Sequence, residues 1–89
     1  MQGCYLLHFE RPMYGAQHYL GWATNVARRV AVHNRGRGAR LVAQALAAGI
    51  RVELVRVWPD VDKARERALK RTGPKAYCPR CKSQQRRKA

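Results

Sequence analysis

Apolar residues fall in short clusters, broken by basic stretches and turn formers. Residues 3–9 (GCYLLHF) are apolar and aromatic, and the run is short enough for a strand. On a strand, Cys4, Leu6 and His8 share one face, and Tyr5, Leu7 and Phe9 share the other. Pro12 and Gly15 mark residues 10–17 as a loop, and residues 18–22 (HYLGW) read as a second strand. So short a connection predicts an antiparallel hairpin.

The period then changes. Thr24 or Asn25 can cap a helix through VARRVAVHN that stops at Gly36, with Val26, Val30 and His33 on one stripe. After the cationic connection RGRG, a second helix (ARLVAQALAA) puts Leu41, Val42, Ala45 and Leu46 on one face and stops at Gly49. Residues 50–58 alternate as a strand: Ile50, Val52 and Leu54 against Arg51 and Glu53. The apolar phase shifts at Val55 and Val57, which predicts a bulge or burial on both faces. Pro59 ends the strand. Asp60 or Asp62 caps a third helix, DKARERALKR, that ends at Gly73-Pro74. The order β-β-α-α-β-α predicts an α+β domain: a three-stranded antiparallel sheet flanked by helices.

Length and charge narrow the function. Eighty-nine residues leave no room for a cofactor domain beside a substrate domain. Residues 1–80 are expected to form the domain and residues 81–89 a flexible basic tail. Nineteen Lys+Arg against five Asp+Glu give a net charge of +14. Such a chain attracts polyanions, so DNA is the expected partner. Arg28, Arg35, Arg37, Arg40, Lys70 and Arg71 are expected phosphate contacts, with Arg86, Arg87 and Lys88 of the tail beside them. No apolar run reaches the length of a membrane span, about 20 residues, and no secretory signal opens the chain. The expectation is a cytoplasmic protein with reduced thiols and no membrane partner. Three cysteines, an odd count, do not make a disulfide framework.

Five residues stand out as chemistry. Tyr5 and Tyr19 are phenols on strands expected to pair, and Arg29 precedes His33 by one helical turn. Glu66 is the only acid between Lys63 and Ala89. Phosphodiester cleavage needs a base for water, a cation against the charge growing on phosphorus and a divalent metal, and these residue types can supply them. Taken singly, each has an ordinary role: a half-buried strand tyrosine, a solvated arginine, a packed histidine, an i,i+4 partner for Lys70.

The ordered set resembles the GIY-YIG nuclease family. Gly3-Cys4-Tyr5 stands where that family has GIY, and Tyr19-Leu20-Gly21 where it has YIG. Arg29, His33 and Glu66 fall at the family's later positions, and the likeness spans about residues 3–80. Two departures are Ala23, where Ser or Thr is usual, and the lack of an Asn after Glu66. The resemblance implies a small stand-alone endonuclease that hydrolyses DNA phosphodiester bonds. Tyr5 would be the general base, Arg29 the stabiliser of the transition state, and Glu66 the ligand of one Mg²⁺ or Mn²⁺. Tyr19 and His33 would position phosphate or water. A homodimer or a partner protein would then supply specificity. The competing expectation is a non-catalytic basic nucleic-acid-binding module on the same scaffold.

Cys78 and Cys81 form a CxxC, half of a zinc site. Cys4, and His8 on the same strand face, are the nearest candidates to complete it. No second CxxC or HxxxH is present, so the expectation leans towards thiols tucked against the sheet or holding an adventitious metal, with a Zn²⁺ site the less favoured reading. Trp22 and Trp58 read as core or rim side chains, with Trp22 a candidate for base stacking.

Overall fold

Alternation along the first strand builds both halves of the core. In the computed structural model, which describes residues 1–81, this strand is β1 (Gly3–Met13). It pairs antiparallel with β2 (Ala16–Ala23) on one side and β3 (Val52–Pro59) on the other, giving the order β2-β1-β3. Tyr5, Leu7 and Phe9 point to one face of the sheet, where Val26, Val42, Ala45 and Ile50 cover them. The covering helices are α1 (Val26–Asn34) and α2 (Arg40–Ala47). Cys4 and Leu6 point to the other face and pack with Leu20, Leu69, Cys78 and Cys81. That side is closed by α3 (Lys63–Thr72) and a short 3-10 turn, Pro74–Tyr77. The expected α+β order holds. The basic tail lies, from residue 82 on, outside the described residues, as do Arg86, Arg87 and Lys88. Cys81, given to that tail, is buried within the domain.

The hairpin is longer than expected, because residues 10–13 and 16–17 extend it to a tight turn at Tyr14 and Gly15, both with positive φ. Its register jumps between His8↔His18 and Met13↔Ala16, so three more residues lie on β1 than on β2. Pro12 sits in this irregular stretch, beyond the last β1–β3 partner pair, Phe9↔Val52, where a missing N–H breaks no ladder. The Gln17 amide donates to the Phe9 carbonyl across the irregularity at 3.2 Å. The bulge expected near Val55 is present: Leu6 pairs with Arg56 but Leu7 with Leu54, leaving Val55 unpaired.

Asn25, one of the two expected caps, accepts the Arg28 backbone N–H at 3.1 Å and so fixes the start of the helix carrying Arg29 and His33. Asn25→Ala should cost about 1 kcal/mol in urea unfolding, the usual worth of such a cap. At the other candidate cap pair, Asp62 takes the N-cap position of α3 and Asp60 adopts a positive φ in the preceding turn. Trp22 donates its indole N–H to the Val61 carbonyl at 2.8 Å, and Trp58 packs edge-on against Tyr77 under Arg56. Both tryptophans therefore belong to the α3 side of the core and its rim.

Candidate functional site

Two side-chain clusters lie back to back, one on each face of the hairpin. The first is built from Tyr5, Tyr19 and His33. Tyr5 pairs with Gly21 and Tyr19 with Leu7, so the two phenols are diagonal neighbours across the strands. Their ring centroids are 6.2 Å apart. His33 reaches down from α1 between them, 5.6 Å from the Tyr5 centroid and 5.2 Å from that of Tyr19. Tyr5 and His33 are each only 1% exposed.

Two glycines shape this cluster. A Cβ on Gly21 would lie 2.6 Å from Tyr5 Oη, so the bare backbone of β2 is the floor on which the phenol rests. A Cβ on Gly38 would overlap the His33 ring at Nδ1. The loop after α1 can therefore close on the imidazole, and the Ala39 N–H donates to His33 Nδ1 at 3.2 Å. That bond sets the tautomer. With Nδ1 accepting, the ring proton is on Nε2, which donates to Tyr5 Oη at 2.7 Å. The phenol oxygen is thus a hydrogen-bond acceptor towards the protein, and its own proton is free to point elsewhere.

Burial controls protonation here. It pushes Tyr5 up to about 12, with the neighbouring Tyr19 adding to the rise and the Arg29 guanidinium opposing it. Burial, and then the Arg29 charge, holds His33 below the ordinary histidine range, which keeps the neutral tautomer. Arg29 is exposed and lines a surface groove of about 260 Å³ with Ala23, Thr24, Asn25, Arg28 and Val32. Arg28, Arg35, Arg37 and Arg40 are exposed on α1, on the loop after it and at the start of α2, all on the Tyr5 side of the sheet.

Glu66 is placed differently. It projects from α3, whose Leu69 packs on the opposite face of the sheet. Its carboxylate pairs with Lys70 at 3.6 Å and lines a groove of about 420 Å³ with Lys63, Ala64 and Arg67. Its nearness to the other face is registered at Cys4, whose thiol is raised first by burial and then by the Glu66 charge. Among the described residues, no hydrogen bond or ion pair joins Glu66 to Tyr5, Tyr19, Arg29 or His33. Lys70 and Arg71 are exposed in the last turn of α3, on that same far side.

The second cluster is His8, His18, Cys78 and Cys81. One ligand atom from each lies within 4.8 Å of all the others, and these residues could hold a metal ion. His8 and His18 are directly opposed in the hairpin, with 3.3 Å between Nδ1 and Nε2. Cys78 Sγ is 3.4 Å from His8 Nδ1, and Cys81 Sγ is 3.4 Å from His18 Nε2. Imidazole and thiolate donors suit Zn²⁺, whereas Mg²⁺ takes oxygen ligands. The sequence reading is corrected at two points. His18 completes the ligand set that looked incomplete, and Cys4, though buried on the same face, is not part of it. The missed signal was the pairing of two histidines across one hairpin. Comparison of this chain with protein-family models, curated proteins and solved structures finds no match.

Proposed function

We propose that this chain is a divalent-metal-dependent endonuclease that hydrolyses phosphodiester bonds in DNA. The observation that carries the reading is the buried 2.7 Å contact between Tyr5 and His33, residues 28 apart in sequence, with Tyr19 beside both rings. A merely structural pair would need neither a backbone-fixed imidazole tautomer nor an arginine poised beside the phenol. The net charge of +14 and the exposed arginines on the same side supply sequence-independent affinity for the DNA backbone.

The donor set fits a hard cation only in a sparse form. Glu66 offers one half-buried carboxylate, and its Lys70 partner is exposed and displaceable. Mg²⁺ commonly binds through one or two carboxylates and takes its other oxygens from water and phosphate. Glu66 would hold the ion, which when bound supplies positive charge to a phosphate oxygen. The chain's own groups do the rest. Arg29 binds a phosphate oxygen and opposes the charge that grows during attack. Tyr5 Oη, as phenolate, takes a proton from the attacking water. His33 Nε2–H steadies that phenolate, and Tyr19 limits where a phosphate can sit.

A second reading, a non-catalytic DNA-binding module, draws on one observation: among the described residues, no hydrogen bond or ion pair joins Glu66, on α3, to Tyr5, Tyr19, Arg29 or His33. One experiment separates the two. Supercoiled plasmid incubated with the protein and Mg²⁺ or Mn²⁺ should be nicked, with no nicking in excess chelator. Glu66→Ala should reduce nicking at least about a hundredfold, as expected when charge stabilisation of a transition state is lost, while salt-sensitive DNA binding persists. Equal nicking by wild type and Glu66→Ala would assign the activity to a contaminant and leave the binding module.

A further inference from the structure

The His8/His18/Cys78/Cys81 cluster is not used by the chemistry proposed above. We propose that it is a closed structural Zn²⁺ site that staples the C-terminal segment to the β1–β2 hairpin. The first argument is metric. A tetrahedron with Zn–N near 2.0–2.1 Å and Zn–S near 2.3 Å has edges of about 3.3 Å between nitrogens and about 3.6 Å between nitrogen and sulfur. The His8–His18 contact is 3.3 Å, and the three nitrogen–sulfur contacts are 3.4, 3.4 and 4.0 Å. Three of these separations already match the edges that a single ion imposes, and all four donors lie within 4.8 Å of one another, so a small inward shift would close the tetrahedron.

The second argument is chemical. The set is S₂N₂ with no carboxylate in it, which selects Zn²⁺ over the hard cations. Four protein ligands leave no open position, so the site is structural rather than hydrolytic. Cys78 and Cys81 are free thiols, and His8 and both cysteines are buried, while His18 is half-buried and leaves a way in. Binding then balances simply: Zn²⁺ displaces two thiol protons, and two thiolates and two neutral imidazoles remain around it.

The third argument is mechanical. β1 and β2 present the histidines from adjacent strands, and the cysteines arrive after α3 and the 3-10 turn. An ion here closes the chain over α3 and holds that helix against the sheet. The Arg80–Glu53 pair, at 2.7 Å, ties the same C-terminal segment to β3. A chain of this size has a small core, and a metal staple is a common remedy.

The test uses the full chain and the metal alone. Protein purified without chelator should carry about one Zn²⁺ per chain. After chelation it should bind one equivalent of Co²⁺, with the strong visible bands of a tetrahedral ion and a thiolate charge-transfer band. Removal should lower the melting temperature, and added Zn²⁺ should restore it. Cys78→Ser and His18→Gln should each lose the ion, whereas Cys4→Ser should keep it. Because a ligand variant could fail to fold, metal binding by the wild-type chain, read from its zinc content and its Co²⁺ spectrum, decides. A weak octahedral spectrum, or purified protein with no bound zinc and no response to added Zn²⁺, would overturn the proposal. Loss of the ion in Cys4→Ser with retention in His18→Gln would overturn the ligand set.

Discussion

Gly21→Ala should bring nicking down by at least about a hundredfold, the scale set by a displacement of about 1 Å at a reacting group. The new methyl carbon would stand 2.6 Å from Tyr5 Oη, 2.7 Å from its Cζ and 3.1 Å from Tyr19 Cε1. Neither the floor nor the ring can yield without cost. Gly21 lies within paired strand β2, and Tyr5 is on the central strand, 1% exposed and packed with Leu7 and Val26. The phenol must therefore shift off the strand, which disturbs the geometry of its 2.7 Å bond to His33. Overpacking of this kind costs about 1–3 kcal/mol, so the domain should still fold at low temperature. Gly15→Ala is the control. Gly15 has φ of +80° at the hairpin turn and nothing near its missing Cβ, so alanine there is strained but touches no side chain. A left-handed alanine costs about 1–2 kcal/mol, a comparable loss of stability, yet nicking should remain. Should both variants lose activity in proportion to their melting temperatures, the tight fit over Gly21 has no catalytic meaning.

The fold was legible because each element carried its own signal. The alternation in GCYLLHF sorted Tyr5 from Cys4 onto opposite faces, and the phase break at Val55 announced the bulge. The gathering of Tyr5, Tyr19 and His33 followed from the strand faces and the helical stripe. The His8/His18/Cys78/Cys81 cluster did not, for a physical reason. Had the hairpin kept the register of its Tyr14-Gly15 turn, His8 would stand opposite Gly21. The three extra residues around Pro12 bring His18 opposite it instead. Irregularities of that kind depend on tertiary contacts, here the β3 pairing that stops at Phe9 and the Gln17 side chain that bridges the gap. Gly38 was similarly silent, since a glycine in RGRG reads as flexibility until His33 is seen beneath it. The side of the sheet that α3 takes, and with it the position of Glu66, is likewise a matter of tertiary packing rather than of local pattern.

Raising the pH should increase nicking and lower stability at the same time, and Tyr5 is the reason for both. Its phenol, near 10 in an unfolded chain, is pushed up to about 12 in the fold by burial and the neighbouring Tyr19, against the pull of Arg29. Between those values the unfolded chain has released the proton and the folded chain still holds it. Folding stability therefore falls as pH rises from about 10 through about 12, by roughly 2–3 kcal/mol in total. Tyr5→Phe should remove this step from the alkaline unfolding curve. At the acid end the sign reverses. His33 is depressed by burial, so below its ordinary value of about 6.5 the unfolded chain gains the proton first and stability is lost as pH falls. In the rate, the proposed base is the phenolate, and at pH 8 a group of pKa near 12 is ionised in only about one molecule in ten thousand. Nicking should then climb about tenfold per pH unit from neutrality until the phenol of the DNA-bound site titrates. Arg29, with its guanidinium beside the ring, sets how early that bend arrives, so Arg29→Gln should move it to higher pH as well as lowering the rate. A wild-type profile that stays flat between pH 7 and pH 9, or one shared unchanged by Tyr5→Phe, would remove the phenolate from the reaction and leave water to be activated elsewhere in the site.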